Sequence, residues 1–303
     1  CSANMRMASH PHGTRNEHQR THAIRTWLRR VQFAHTRDGG LNPTMKPTAK
    51  RYTHLIEPLI GLAAVLLIWE WVSRHVGNAV LVPPPAVVWR AFVAMLDSDL
   101  PMDIAASLFH LGIGYGLGAC AGLGLALLAA SSQWVEAIVD PFAEFLRPIS
   151  PIAWIPLAIL LFGVGPAVPV FLIFYASLFP IFVATLDGVS RVDANLIHAA
   201  QSLGASRRLV ILRVVLPAAL PAVVAGARLS LGVAWMSLVA GEIIGGDSGV
   251  GWRILWYQEF FQMDRVMAGI LIVGALGLLA GGVLRALQRR LLRWHPSSAV
   301  AQS

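Results

Sequence analysis

At 303 residues with 56% hydrophobic and 13% charged side chains and a mean hydropathy of +0.62, the chain is too apolar for an ordinary soluble domain and belongs in a bilayer. Its net charge of +8 would suit nucleic acid, but the basic residues gather at the ends and between apolar runs, which is the signature of positive-inside topology instead. Cys1 and Cys120 stand far apart, the second inside an apolar run, so neither a disulfide framework nor a metal motif is expected.

Residues 1–54 carry Arg6, Arg15, Arg20, Arg25, Arg29, Arg30, Arg37, Lys46, Lys50 and Arg51 against Glu17 and Asp38. With no apolar period they read as a basic, disordered cytoplasmic arm rather than a signal peptide. The chain opens on Cys1 rather than methionine, and little function is placed on its start. Residues 55–72 form the first expected span, with Glu57 and Glu70 near its ends, where a carboxylate reaches the interface. Pro83, Pro84 and Pro85 then stop any helix, and Asp97, Asp99 and Asp103 mark an acidic stretch on the outer side.

The second span, 104–130, has glycines at 112, 114, 116, 118, 122 and 124. Their small-xxx-small spacing lets helix backbones press together within one subunit. His110 lies in this span and reads as a hydrogen-bonded core residue, since nothing nearby completes a metal site. Residues 131–147, with Glu136, Asp140, Glu144 and Arg147, read as a cytoplasmic interfacial segment before the third span. Pro148, Pro151 and Pro156 follow, and a helix so interrupted is tolerated in a membrane only where protein or a watery cavity satisfies the freed carbonyls. Trp154 is therefore a candidate pathway wall, with a packing tryptophan as the plainer reading. The fourth span, 167–189, brings Tyr175 and Ser177, whose hydroxyls need partners in packing or in a cavity.

Between two long apolar runs lies a polar, basic segment, 193–217. Asp193 can cap a helix from Ala194 by accepting from its first free N–H groups, and Leu196, Ala199, Ala200 and Leu203 then share one side as an apolar stripe fit for docking. Gly204 can end the helix in a left-handed conformation, and Pro217 can open the next. The fifth span, 216–245, contains Arg228, roughly 16 Å along the helix from Pro217. A cation at that depth faces the bundle interior or snorkels out. Arg228, Trp235 and Glu242 complete the candidate pathway residues. Residues 246–264 read as an outer aromatic loop around Trp252, Trp256 and Tyr257, and a sixth span, 265–284, ends in Arg285, Arg289, Arg290 and Arg293. Six spans put both basic ends and the 193–217 segment in the cytoplasm. The resulting division is an arm over 1–54, a transmembrane domain over 55–290 and a cytoplasmic tail over 291–303.

Ala199, Ala200, Gly204, Leu216 and Pro217 resemble the EAA loop of bacterial ABC importer permeases, with His198 where that family has glutamate. Arg147-Pro-Ile-Ser-Pro-Ile-Ala-Trp-Ile-Pro156, Phe162-Gly-Val-Gly165, Phe179-Pro180 with Asp187-Gly188-Val189, and Gly249-Val-Gly-Trp252 resemble the nitrate, sulfonate, taurine and bicarbonate branch. The likeness runs over about residues 55–290. It implies an all-α membrane protein of the type I ABC importer kind, with about six transmembrane helices and a cytoplasmic coupling helix between spans 4 and 5. It also implies a homodimer in the bacterial inner membrane, two ATPase subunits docked on that helix and a periplasmic binding protein supplying substrate. Asp193, His198, Ala199, Ala200, Gly204, Leu216 and Pro217 would carry the coupling. No Gly-x-x-x-x-Gly-Lys-Ser/Thr loop occurs, so no ATP hydrolysis by that route is expected here; ATP and magnesium would sit on the partner. The competing class is an ion-coupled secondary transporter using Glu57, Glu70, Glu242 or Arg228. An intramembrane enzyme is disfavoured, because His110 and Cys120 alone form no reactive constellation.

Overall fold

The structure is a computed structural model that describes residues 50–78, 81–98 and 100–292, and of residues 50–59 the backbone alone. Residues 1–49 of the arm, the Glu57 side chain and the tail beyond residue 292 lie outside the described residues, while residues 50–54, expected in the disordered arm, are helical. By its contacts the chain divides into Cys1–Ala64 and Val65–Ser303. The described part of the first unit is the opening of helix α1, Lys50–Val76. All the other helices belong to the second unit.

The described residues of the second unit form helices and no strand: α2 Pro85–Leu96, α3 Leu100–Ser131, α4 Gln133–Leu146, a 3-10 turn Pro151–Trp154, α5 Ile155–Phe162, α6 Ala167–Ser190, α7 Ala194–Ser202, α8 Arg207–Gly245, α9 Val250–Glu259 and α10 Met263–Leu291. Among them α3, α6, α8 and α10 are long and apolar enough to cross a bilayer, and the pair α4 and α5, bent by 92°, adds a fifth candidate. The first expected span lies within the 27 residues of α1.

Helix α6 is the centre. It runs beside α3 in the same direction and against α8 in the opposite one, and small residues set both distances. On α3, Gly114, Gly118 and Gly122 lie one turn apart along the seam. A Cβ on Gly114 would come 2.7 Å from Val170 O, and one on Gly122 2.5 Å from Leu178 O. Gly112, Gly116 and Gly124 point into open space. The glycine pattern thus serves close helix packing inside the subunit, through alternate members of the set. On the other flank, Gly188 packs on Ala219 and Ala222, Gly226 on Pro180 and Ala184, and Gly241 on Pro169.

The proline-rich region breaks as its residues call for. Residues 133–146 are a helix of their own, α4, and α5 follows after a 92° bend; by length and composition the joined pair is a broken span or a re-entrant loop. At eight residues, α5 is about 12 Å long, far short of a hydrocarbon core of roughly 30 Å. The carbonyl of Leu146, at the break, accepts a hydrogen bond from the Tyr175 hydroxyl at 2.6 Å. That carbonyl also accepts from the Ile149 N–H at 3.1 Å, so the Tyr175 bond is its second and satisfies the hydroxyl buried in α6.

Three further boundaries differ. The polyproline stretch starts a helix, α2, with Pro85 at its first position, where the missing donor costs nothing; Val88, Ala91 and Met95 make its buried face. Helix α8 begins at Arg207, ten residues ahead of Pro217, and passes through a π-helical turn, Ile211–Val215, directly before the proline. Pro217 therefore continues this helix rather than opening it, since the wider turn accommodates a residue with no N–H. Finally, residues 250–259 are helical rather than a loop: α9 buries Val250, Gly251, Ile254 and Tyr257.

Candidate functional site

The segment between α6 and α8 takes the helix–turn form its residues call for. Asp193 accepts from the Asn195 N–H at 2.9 Å, capping α7. At the other end Gly204 adopts φ +81°. Its N–H donates to Gln201 O, and that of Ala205 donates to Ala200 O. These two bonds close the last turn as a left-handed glycine cap and consume carbonyls that would otherwise stand free. No residue of α7 is fully buried. Leu196 and Leu203 project into solvent, Leu203 with 89% of its surface free, beside exposed His198 and Ala199. The expected stripe is narrower by one member, because Ala200 is half covered, on the side where Ile197 and Gln201 line a cavity against Leu127, Val189 and Val210. One face of α7 is seated on its own subunit and the other offers leucines on an otherwise polar helix. Leu216 and Pro217 lie past the π-helical turn, within α8.

The pathway candidates fall into four separate places. Trp154 packs against Tyr175, ring centroids 5.4 Å apart, beside the core of Ile155, Ala158, Val168 and Leu172. Ser177 is fully buried beneath Gly118 and donates to Ile173 O. Arg228 and Trp235 share a groove between α8 and α10 that also holds Arg285.

Glu242 is not on that groove. It is 1% exposed, and its carboxylate gathers three donors: Ser107 Oγ at 2.9 Å, Gly251 N at 2.9 Å and His110 Nδ1 at 3.0 Å. Against an ionised carboxylate, which only accepts, His110 would present an N–H at Nδ1. Ser107 Oγ accepts in turn from Val250 N. Nearby, Arg253 Nε lies 2.6 Å from Asp103 Oδ2, with its guanidinium over the rings of Trp252 and Trp256. This polar clasp ties α3, α8 and α9 at one end of the bundle, and sequence reasoning missed it. Asp103 read as an acidic outer residue but is buried against α9. The available signal was Gly249 and Gly251: a Cβ on either would strike the Glu242 side chain, and Gly249 has φ +103°.

A bundle of bilayer-length apolar helices with an exposed helix–turn between two of them defines a multi-span membrane permease. Residues 121–293 match the family of binding-protein-dependent transport system inner membrane components, and the chain belongs to that family of ABC transporter permease subunits. It is 36% identical to the putative aliphatic sulfonates transport permease of Bacillus subtilis, over 83% of this chain and 92% of that one. It is also 36% identical to the taurine transport permease TauC of Escherichia coli, over 78% and 89%, and 30% identical to the bicarbonate permease CmpB of Synechocystis, over 84% and 94%. Its fold is similar to a chain of the inward-facing MetNI methionine ABC transporter, at TM-score 0.50 and 19% identity, over 62% of this chain and 95% of that chain.

Proposed function

We propose that two copies of this chain form the membrane pathway of an importer for a small oxyanion, aliphatic sulfonate or taurine first and nitrate or bicarbonate next. Two ATPase subunits, holding ATP and magnesium, dock on α7 of each copy. A periplasmic binding protein delivers substrate at the α9 end, and both termini are cytoplasmic. The observation that carries the reading is the exposed α7 helix–turn, whose free leucines and fixed glycine cap offer a rigid knob to a partner's groove. The relatives' substrates support the oxyanion class. ATP binding acts by favouring one arrangement of the pair through contacts that differ between inward-open and outward-open states.

Gly204→Asp tests the docking. At φ +81° a residue with a Cβ is strained by roughly 1–2 kcal/mol, and the turn presenting Leu203 must move. The ATPase is expected to co-purify poorly with this variant, and binding-protein-stimulated ATP hydrolysis in liposomes to fall at least several-fold. Full association and coupling in a folded Gly204→Asp chain would remove α7 as the docking element. The secondary-transporter reading is weakened by the same geometry, because Glu242 is already saturated with donors and Glu70 is paired with Arg74.

A further inference from the structure

The two buried carboxylates of the bundle are matched. Asp103 meets Arg253, and Glu242 meets Ser107, His110 and Gly251. Arg228 and Arg285 differ from them in sharing one groove: neither makes a hydrogen bond or ion pair with a described residue, and no carboxylate lines that groove. That groove, about 240 Å³, is walled by Trp235 and floored by Gly277 and Gly281 of α10. The Arg285 guanidinium folds back along α10, its two terminal nitrogens lying over Gly281 and Gly282 at 3.9 Å from where a Cβ would stand. Gly277 plays the same part for the Trp235 indole. Small residues thus make room for the Trp235 wall and the Arg285 fork. By helical rise Arg228 lies roughly 26 Å from the α9 end of α8 and roughly 32 Å from its Arg207 end, close to the middle of the helix.

Both arginines are exposed on the groove, and two cations sharing it with no carboxylate repel each other unless an anion joins them. Guanidinium forks match the paired oxygens of a sulfonate, phosphate or carboxylate. The volume suits a head group with a short apolar stem lying on Trp235. We infer that Arg228 and Arg285 clamp the oxyanion head of the transported substrate in this conformation, with Trp235 against its carbon stem. This rests on the importer reading above. The same chemistry would hold the phosphate of an anionic lipid, so the experiment separates the two sources.

The assembled complex of permease, ATPase and binding protein is reconstituted in liposomes, and uptake of labelled taurine or ethanesulfonate is measured at saturating loaded binding protein. Uptake by the unaltered complex tests the importer reading alone. Against that baseline, Arg228→Gln and Arg285→Gln are each expected to slow uptake about tenfold or more, as for loss of a charge-assisted bond. Binding-protein-stimulated ATP hydrolysis is expected to stay within twofold and Arg285→Lys to recover part of the rate, whereas Arg290→Gln, at the exposed end of α10, is without effect. Wild-type uptake by both glutamine variants would overturn the clamp. Parallel loss of ATPase stimulation and uptake would also overturn it, because the arginines would then be needed for the switch itself. Loss of a co-purifying labelled phosphatidylglycerol with uptake unchanged would assign the groove to lipid and overturn the substrate assignment.

Discussion

Glu242→Ala is expected to undo one end of the bundle. The substitution strips the acceptor from the Ser107 hydroxyl, the Gly251 N–H and the His110 N–H at once. All three lie where water does not replace it: Ser107 and His110 are each 2% exposed, and Gly251 is buried. An orphaned buried donor costs about 1–3 kcal/mol, so the loss sums to about 3 kcal/mol or more, a large share of a typical folding free energy. Glu242→Gln keeps the shape and one carbonyl but turns an NH₂ toward donors, so it recovers only part. Thermal unfolding of the purified protein in detergent checks this, together with amide exchange across α9. The midpoint is expected to fall most for alanine and less for glutamine, with protection lost first over residues 250–259. An alanine variant melting with the native chain, its α9 still protected, would mean that the clasp is dispensable.

Gly118→Val is expected to separate α3 from α6. Its Cβ would overlap the Ser177 hydroxyl and stand 2.6 Å from the Phe174 carbonyl oxygen. The hydroxyl can rotate away, but the carbonyl belongs to the helix ladder and cannot. The helices must part along a seam that Gly114 and Gly122 also hold closed, which costs about 3 kcal/mol or more, the upper end for overpacking. Gly116→Val is the matched control: it lies two residues earlier on the same helix, and nothing stands within 4 Å of its Cβ position. The yield of monodisperse protein by size-exclusion chromatography is expected to collapse for Gly118→Val and to hold for Gly116→Val. Equal behaviour of the two would contradict the seam.

What the sequence made legible was local. The Asp193 cap, the left-handed Gly204 and the glycine spacing of α3 each depend on residues a few positions apart, and their periods are written in the chain. What stayed hidden depends on distant partners. Glu242 read as a pathway residue because a carboxylate late in an apolar run looks solitary, while its partners lie 132 and 135 positions away. Arg285 looked like the first of a basic tail, and only packing of α10 on α8 sets it beside Arg228. Helices α2 and α9 were obscured because prolines at 83–85 and glycines at 246, 249 and 251 carry turn chemistry right up to, or into, short helices. The broken element formed by α4 and α5 was half legible: the prolines announced the break, but neither its 92° bend nor the Tyr175 bond to Leu146 is encoded in a local pattern.

ATP-driven import by a complete complex is tested most directly by uptake of labelled taurine and ethanesulfonate into proteoliposomes holding this chain alone, with the ATPase, and with the ATPase and the loaded binding protein. Accumulation is expected only in the complete mixture, only with ATP, and unaffected by collapse of proton or sodium gradients. Uptake by the chain alone that follows such a gradient would contradict it and make this protein a self-sufficient carrier.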